Sequence, residues 1–118
     1  MTTTAITEYP QKGVVQCTWA DLDAGETGVA VDVSRWQERT IQIAAAVGTS
    51  TVTIQGSNDG TNWATLNSKA MDADSAIPLS GLGAGIYSIL ENPRFIRPVL
   101  AAGDTSNIPV ILHGVAWD

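Results

Sequence analysis

The sequence predicts an all-β fold: an antiparallel β-sandwich or jelly roll of about eight strands with an N-terminal arm. Three observations lead there. Short runs of β-branched and aliphatic residues recur along the chain, several of them alternating apolar and polar with the period of two that half-buried strands require. Clusters of Gly, Asn, Asp, Ser and Pro separate those runs at short intervals, as they do in sandwiches and barrels. The three-and-four spacing of apolar residues that an amphipathic helix needs is almost absent. At 118 residues the chain suits one domain that buries about two-thirds of its unfolded surface.

Residues 1–12, MTTTAITEYPQK, show no core-forming periodicity, and Pro10 interrupts any strand there. They are expected to form an arm, either a free tail or a strap that orders on a neighbour, ahead of a sandwich domain over residues 13–118. The run GVVQCTW (13–19) is the first sandwich strand, and ADLDAGETG (20–28) follows as a loop. In VAVDV (29–33), Val29, Val31 and Val33 face one way and Ala30 and Asp32 the other. SRWQER (34–39) is a connection with room for a short helical turn, and TIQIAAAV (40–47) a strand with Ile41 and Ile43 on one face.

The next stretch, VTIQGSNDGTNWATL (52–66), is a hairpin. Asp59-Gly60 is a strong turn signal, because glycine takes positive φ freely and aspartate bonds its own turn backbone. The loop length matters, since a one-residue slip flips every side chain to the other face. A two-residue loop sets Ile54 opposite Thr65 and Trp63 over Gly56. A three-residue loop at 58–60 sets Val52 opposite Leu66 and Ile54 opposite Ala64, and gives the more apolar face. The three-residue loop is therefore expected, with a local bulge that brings Trp63 into the core beside Leu66. The loop itself contains what a tight hairpin needs, without a ligand.

Residues 67–85 form a long Gly/Ser/Asp-rich crossover in which Pro78 argues against a central strand. IYSIL (86–90) is a strand, residues 91–93 a turn, RFIRPVLA (94–101) a strand, residues 102–107 a turn, and IPVILHGVAW (108–117) the last strand. Arg94 and Arg97 are expected on opposite faces, one near the core edge and paired with an acid, the other free for solvent or a neighbouring subunit.

Composition excludes several functions. Net charge is −6, with six basic against twelve acidic residues, and the arginines fall in two separated pairs, so no basic stripe for nucleic acid exists. No apolar run approaches the ~20 residues of a membrane helix, and the N-terminus lacks the pattern of a signal peptide. Cys17 is the single cysteine and His113 the single histidine. Neither a disulfide nor a cysteine or histidine metal centre is expected, and His113 reads as a strand residue. Asp21, Asp23 and Glu26, and Asp72 with Asp74, lack the layout of a calcium loop and read as solvated carboxylates. No nucleophile, base and orienting group assemble from these residues, so neither catalysis nor a cofactor is expected. Charged residues make up only 15%, below the usual share of about 25%, which leaves a surface that tolerates burial against a partner. Trp117, next to last in the chain, is the best candidate for an intersubunit contact.

The hairpin IQGSNDGTNWATL resembles the GSNDGxxW hairpin of discoidin-like, galactose-binding-like β-sandwiches, and Arg94-Phe95-Ile96-Arg97 resembles the arginine strand those domains carry later. The pairing, with its extension RFIRPVLAAGD, is also similar to small proteins of tailed-bacteriophage virions. The resemblance covers residues 40–112 at most, and its motifs are structural. Against secreted discoidin domains the chain is shorter and has neither a cysteine pair joining its ends nor an export signal, which favours the phage relatives. Among these it looks like the small head decoration proteins that cement a capsid, often as trimers. That resemblance implies a structural virion protein made in the host cytoplasm, with the major capsid protein and further copies of itself as partners. Glu8, Tyr9, Pro10 and Lys12 of the arm and Trp117 are then the expected contacts. A glycan-binding module and a tail or baseplate component are the alternatives.

Overall fold

Residues 4–8, 14–22, 25–33, 36–44, 51–69, 76–101 and 108–115 are described by the computed structural model, and they hold eleven strands and no helix. In chain order these are β1 (Thr4–Glu8), β2 (Val14–Leu22), β3 (Val31–Asp32), β4 (Gln37–Ile43), β5 (Val52–Ser57), β6 (Ala64–Thr65), β7 (Asn67–Lys69), β8 (Ala76–Pro78), β9 (Gly85–Ser88), β10 (Phe95–Leu100) and β11 (Ile108–Val115). One sheet runs β1-β2-β11-β4-β9, a second β3-β10-β5-β6, and β7 pairs with β8 alone.

The pairing is nested. β2 joins β11, β3 joins β10, β4 joins β9 and β5 joins β6, every pair antiparallel. Successive pairs fall in alternate sheets, which is a long hairpin rolled into two four-stranded layers. This is the jelly-roll form of a sandwich, and it matches the predicted fold class. β1 adds a fifth strand at one edge, and β7–β8 is a small accessory sheet.

Alternation along the strands builds the core. Cys17 and Trp19 of β2, Ile41 and Ile43 of β4 and Ile108, Val110 and Leu112 of β11 are buried on one layer; Val52 and Ile54 of β5 and Ile96 and Leu100 of β10 are buried on the other. Trp19 is fully enclosed because its indole N–H donates to the Val29 carbonyl at 2.8 Å. Gly28 makes the room: a Cβ there would come within 2.8 Å of both Trp19 and Pro98. Burial also pushes the Cys17 thiol pKa up.

Several elements depart from expectation. Five residues of the expected arm, Thr4–Glu8, pair with β2 from Thr4 opposite Trp19 to Glu8 opposite Val15, so this part is a sheet edge. The 29–33 run shortens to Val31–Asp32; Val31 and Val33 are buried, but Val29 is exposed. No helical turn opens the 37–39 segment, because β4 already begins at Gln37. The crossover contributes β7 and β8, with Pro78 at the end of an edge strand, where its missing N–H costs no ladder bond.

The 52–66 hairpin takes neither of the two predicted registers. Gln55 lies opposite Thr65 and Gly56 opposite Ala64, which sets Ile54 across from Leu66, whose N–H donates to the Ile54 carbonyl at 2.9 Å. Both side chains are buried. The apolar match comes from a longer loop, and that loop is held by side chains. The Asp59 carboxylate accepts from the N–H groups of Thr61 and Asn62, from the Asn62 amide and from the Ser57 hydroxyl. Ser57 Oγ in turn accepts from the N–H groups of Asp59 and Gly60. Trp63 consequently leaves the core and lies half-buried, with the Arg97 guanidinium 3.9 Å from its ring centre.

Candidate functional site

At one end of the sandwich Val33 and Trp36, which lie between β3 and β4, meet the β5–β6 loop and the β9–β10 loop. They enclose an open groove of about 440 Å³ lined by Val33, Trp36, Arg39, Asn58, Asn92, Pro93 and Arg94. A second groove of about 400 Å³ adjoins it, with Gly56, Ala64 and Leu66 among its walls. Asn58, Asn92 and Pro93 line both and form the ridge between them.

Arg39 organises this end. It falls in phase with the inward-facing Ile41 and Ile43, and the residue is only 3% exposed. A bulge lies beside it. Thr40 lies opposite His113 and Gln37 opposite Val115, so two residues of β4, Glu38 and Arg39, face the single Gly114. Glu38 takes a positive φ of 48°. The missing Gly114 side chain is replaced by Trp36 and Arg39, since a Cβ at Gly114 would stand 2.8 Å from Trp36 Cβ and 3.4 Å from Arg39 Cγ.

The Arg39 guanidinium donates to the Pro93 carbonyl at 3.0 Å, the Glu91 carbonyl at 3.4 Å and Asn92 Oδ1 at 2.7 Å. Its Nε is buried with no hydrogen-bond partner, and among the described residues no carboxylate pairs with it. Burial lowers its pKa accordingly.

The surrounding carboxylates are engaged by groups other than Arg39. Glu91 accepts from the Asn67 backbone and side-chain amides; burial alone would raise its pKa, but these hydrogen bonds outweigh it and the net shift is downward. Asp32 pairs with Arg94 at 3.2 Å. Asp59 is tied into its own loop. The β9–β10 loop sits close to the hairpin because position 56 is glycine: a Cβ there would lie 2.6 Å from both Leu66 and Pro93.

The expected site residues fall mostly elsewhere. Glu8 closes β1 opposite Val15, with its side chain outside the described residues. Tyr9, Pro10, Lys12 and Trp117 also lie outside them. The acid-paired arginine is the exposed Arg94, just before β10, while Arg97 lies on the outward face and donates to Gln55 at 2.9 Å. The arginine near the core edge is Arg39. Its signal was the unbroken alternation 39, 41, 43, read at the sequence level as starting only after a connection. His113 is a half-buried strand residue between Gln16 and Thr40.

No protein-family model matches the chain, and no curated protein matches it. Among solved structures, the SPBc2 prophage-derived protein YomS is similar with a TM-score of 0.68, covering 98% of this chain and 97% of that one at 13% identity. The fold has a prophage counterpart. At that identity the likeness is one of architecture, and it runs over nearly the whole of both aligned chains.

Proposed function

We propose that the chain is a structural protein of a tailed-phage virion, a jelly-roll subunit that acts by binding and not by catalysis. In this reading it docks on the assembled capsid, through the major capsid protein and further copies of itself as a trimer, and stabilises the shell. The observation that carries the reading is the end-to-end likeness to a prophage-derived protein of nearly the same extent. The low share of charged residues supports it, because covering such a surface strands few charges. The mechanism is mass action: a ligand of the assembled shell alone shifts the equilibrium toward that shell, and repeated modest contacts across a lattice add avidity.

The test is quantitative mass spectrometry of gradient-purified virions from the phage or prophage whose genome encodes this chain. The expected result is a fixed stoichiometry to the major capsid protein, with added chain rebinding shells that lack it and raising their thermal transition. Absence from the particle overturns the role, and presence in tails but not in heads overturns the capsid assignment.

A further inference from the structure

We propose that Asp59–Gly60 is a latent modification site, where the backbone converts itself to an isoaspartyl linkage when the β5–β6 loop opens, and that Ser57 is the latch holding the loop shut. The chemistry needs no enzyme or cofactor. The Gly60 nitrogen attacks Asp59 Cγ and forms a C–N bond; the amide proton is lost and one carboxyl oxygen departs as water, leaving a cyclic succinimide. Water then adds to one ring carbonyl and breaks its bond to nitrogen. Opening at the Asp59 main-chain carbonyl routes the chain through Cγ, and opening at Cγ restores aspartate. Nothing is oxidised or reduced.

The sequence supplies the reactive pair. Gly60 has no Cβ to obstruct its own nitrogen, and Asn58, Asp59 and Gly60 are all exposed. The fold withholds the reaction. The Gly60 N–H donates to Ser57 Oγ at 2.9 Å, which pins the nucleophile. Asp59 Oδ1 accepts from the Ser57 hydroxyl at 2.9 Å and from the N–H groups of Thr61 and Asn62 at 2.8 Å, while Oδ2 accepts from the Asn62 amide at 2.8 Å. Cγ cannot turn onto the Gly60 nitrogen until these bonds release. An oxygen that departs as water must also gain protons, and the converging donors favour the unprotonated carboxylate instead.

Ser57 is bonded to both reacting groups. It is 5% exposed and pairs with Phe95 at the end of β5, so the latch is fixed to the sheet while the reactive pair lies in the loop. Isomerisation adds a methylene to the main chain and moves the free carboxylate off the side chain, so it no longer caps Thr61 and Asn62. The altered loop then loses the length that sets Ile54 across from Leu66 and stacks Arg97 on Trp63. The change persists after refolding, and it is independent of the virion role.

The experiment incubates the whole chain at mildly acidic pH, folded and in guanidinium chloride. Trypsin then releases residues 40–69, in which isoaspartate is resolved by chromatography and assigned by electron-transfer fragmentation. The expected result is isoaspartate at position 59 in denaturant and at least about tenfold slower formation in the folded chain. Ser57→Ala speeds the folded reaction several-fold; Ile96→Val, which weakens the core and leaves the loop bonds in place, does not. A second measurement on the wild type covers the case in which Ser57→Ala fails to fold: the rate rises with denaturant well before global unfolding, as local opening requires. Equal rates in the folded and unfolded chain, or no isoaspartate in either, overturn the site. Equal acceleration by both variants, or a rate that rises only with global unfolding, overturns the latch.

Discussion

Asp59 shows how much one exposed side chain can decide. Four donors converge on its carboxylate, and the backbone N–H groups of Asn62 and Thr61, the Asn62 amide and the Ser57 hydroxyl hold its pKa far below the ordinary 3.8. The folded-state value is lower than the unfolded one, so the loop's stabilisation is complete above the unfolded value and drains away as pH falls toward the folded one. Glu91 has the same sign. Lowering the pH from about 6 to about 3 should therefore shift the urea midpoint down in the wild type and less in Asp59→Asn. Equal shifts in the two proteins would show that Asp59 titrates normally. The Asp-Gly pair was legible as a turn. What the linear pattern did not reveal is that Ser57 and Asp59 close the loop through side chains, and that closure lengthens it and moves the register.

At the level of elements, legibility followed the strength of alternation. The long strands announce themselves: Ile41 and Ile43, Val52 and Ile54, and Val110 and Leu112 all face the core as their period requires. Short or edge elements did not. β9 carries Ile86 at 68% exposure because it is the last strand of its sheet, so its hydrophobicity says nothing about which face is inward. The bulge in β4 was hidden because it depends on Gly114, far along the sequence. The strand β1 within the N-terminal arm went unseen because the alternation in TAITE is too brief to stand out from coil. Its pairing has a consequence for truncation. Removing residues 1–12 uncovers the main-chain donors and acceptors of β2, so the shortened protein should still fold around the β2–β11 pair but self-associate with rising concentration. Light scattering across a concentration series reads this, and a truncated chain that stays at one mass would show that β2 needs no cover.

For the whole molecule the nested pairing is the governing fact. The β2–β11 ladder joins residues near opposite ends of the sequence, so the largest loop must close before the outer pair forms. Refolding should accordingly fall in the range of about milliseconds to seconds typical of non-local β topologies, not in the microsecond range of helical bundles. Stopped-flow tryptophan fluorescence tests this, because Trp19 is enclosed only once both sheets are in place. A microsecond phase carrying the full amplitude would contradict it. The same nesting sets Val14 directly opposite Val115. Tension applied to those two neighbours acts across the ladder at its open end and parts β2 from β11 one rung at a time. Along this direction the jelly roll is a zip fastener, with low resistance to pulling whatever its thermodynamic stability. The molecule keeps its shape under load that enters through its faces, and gives way to load that enters through its ends.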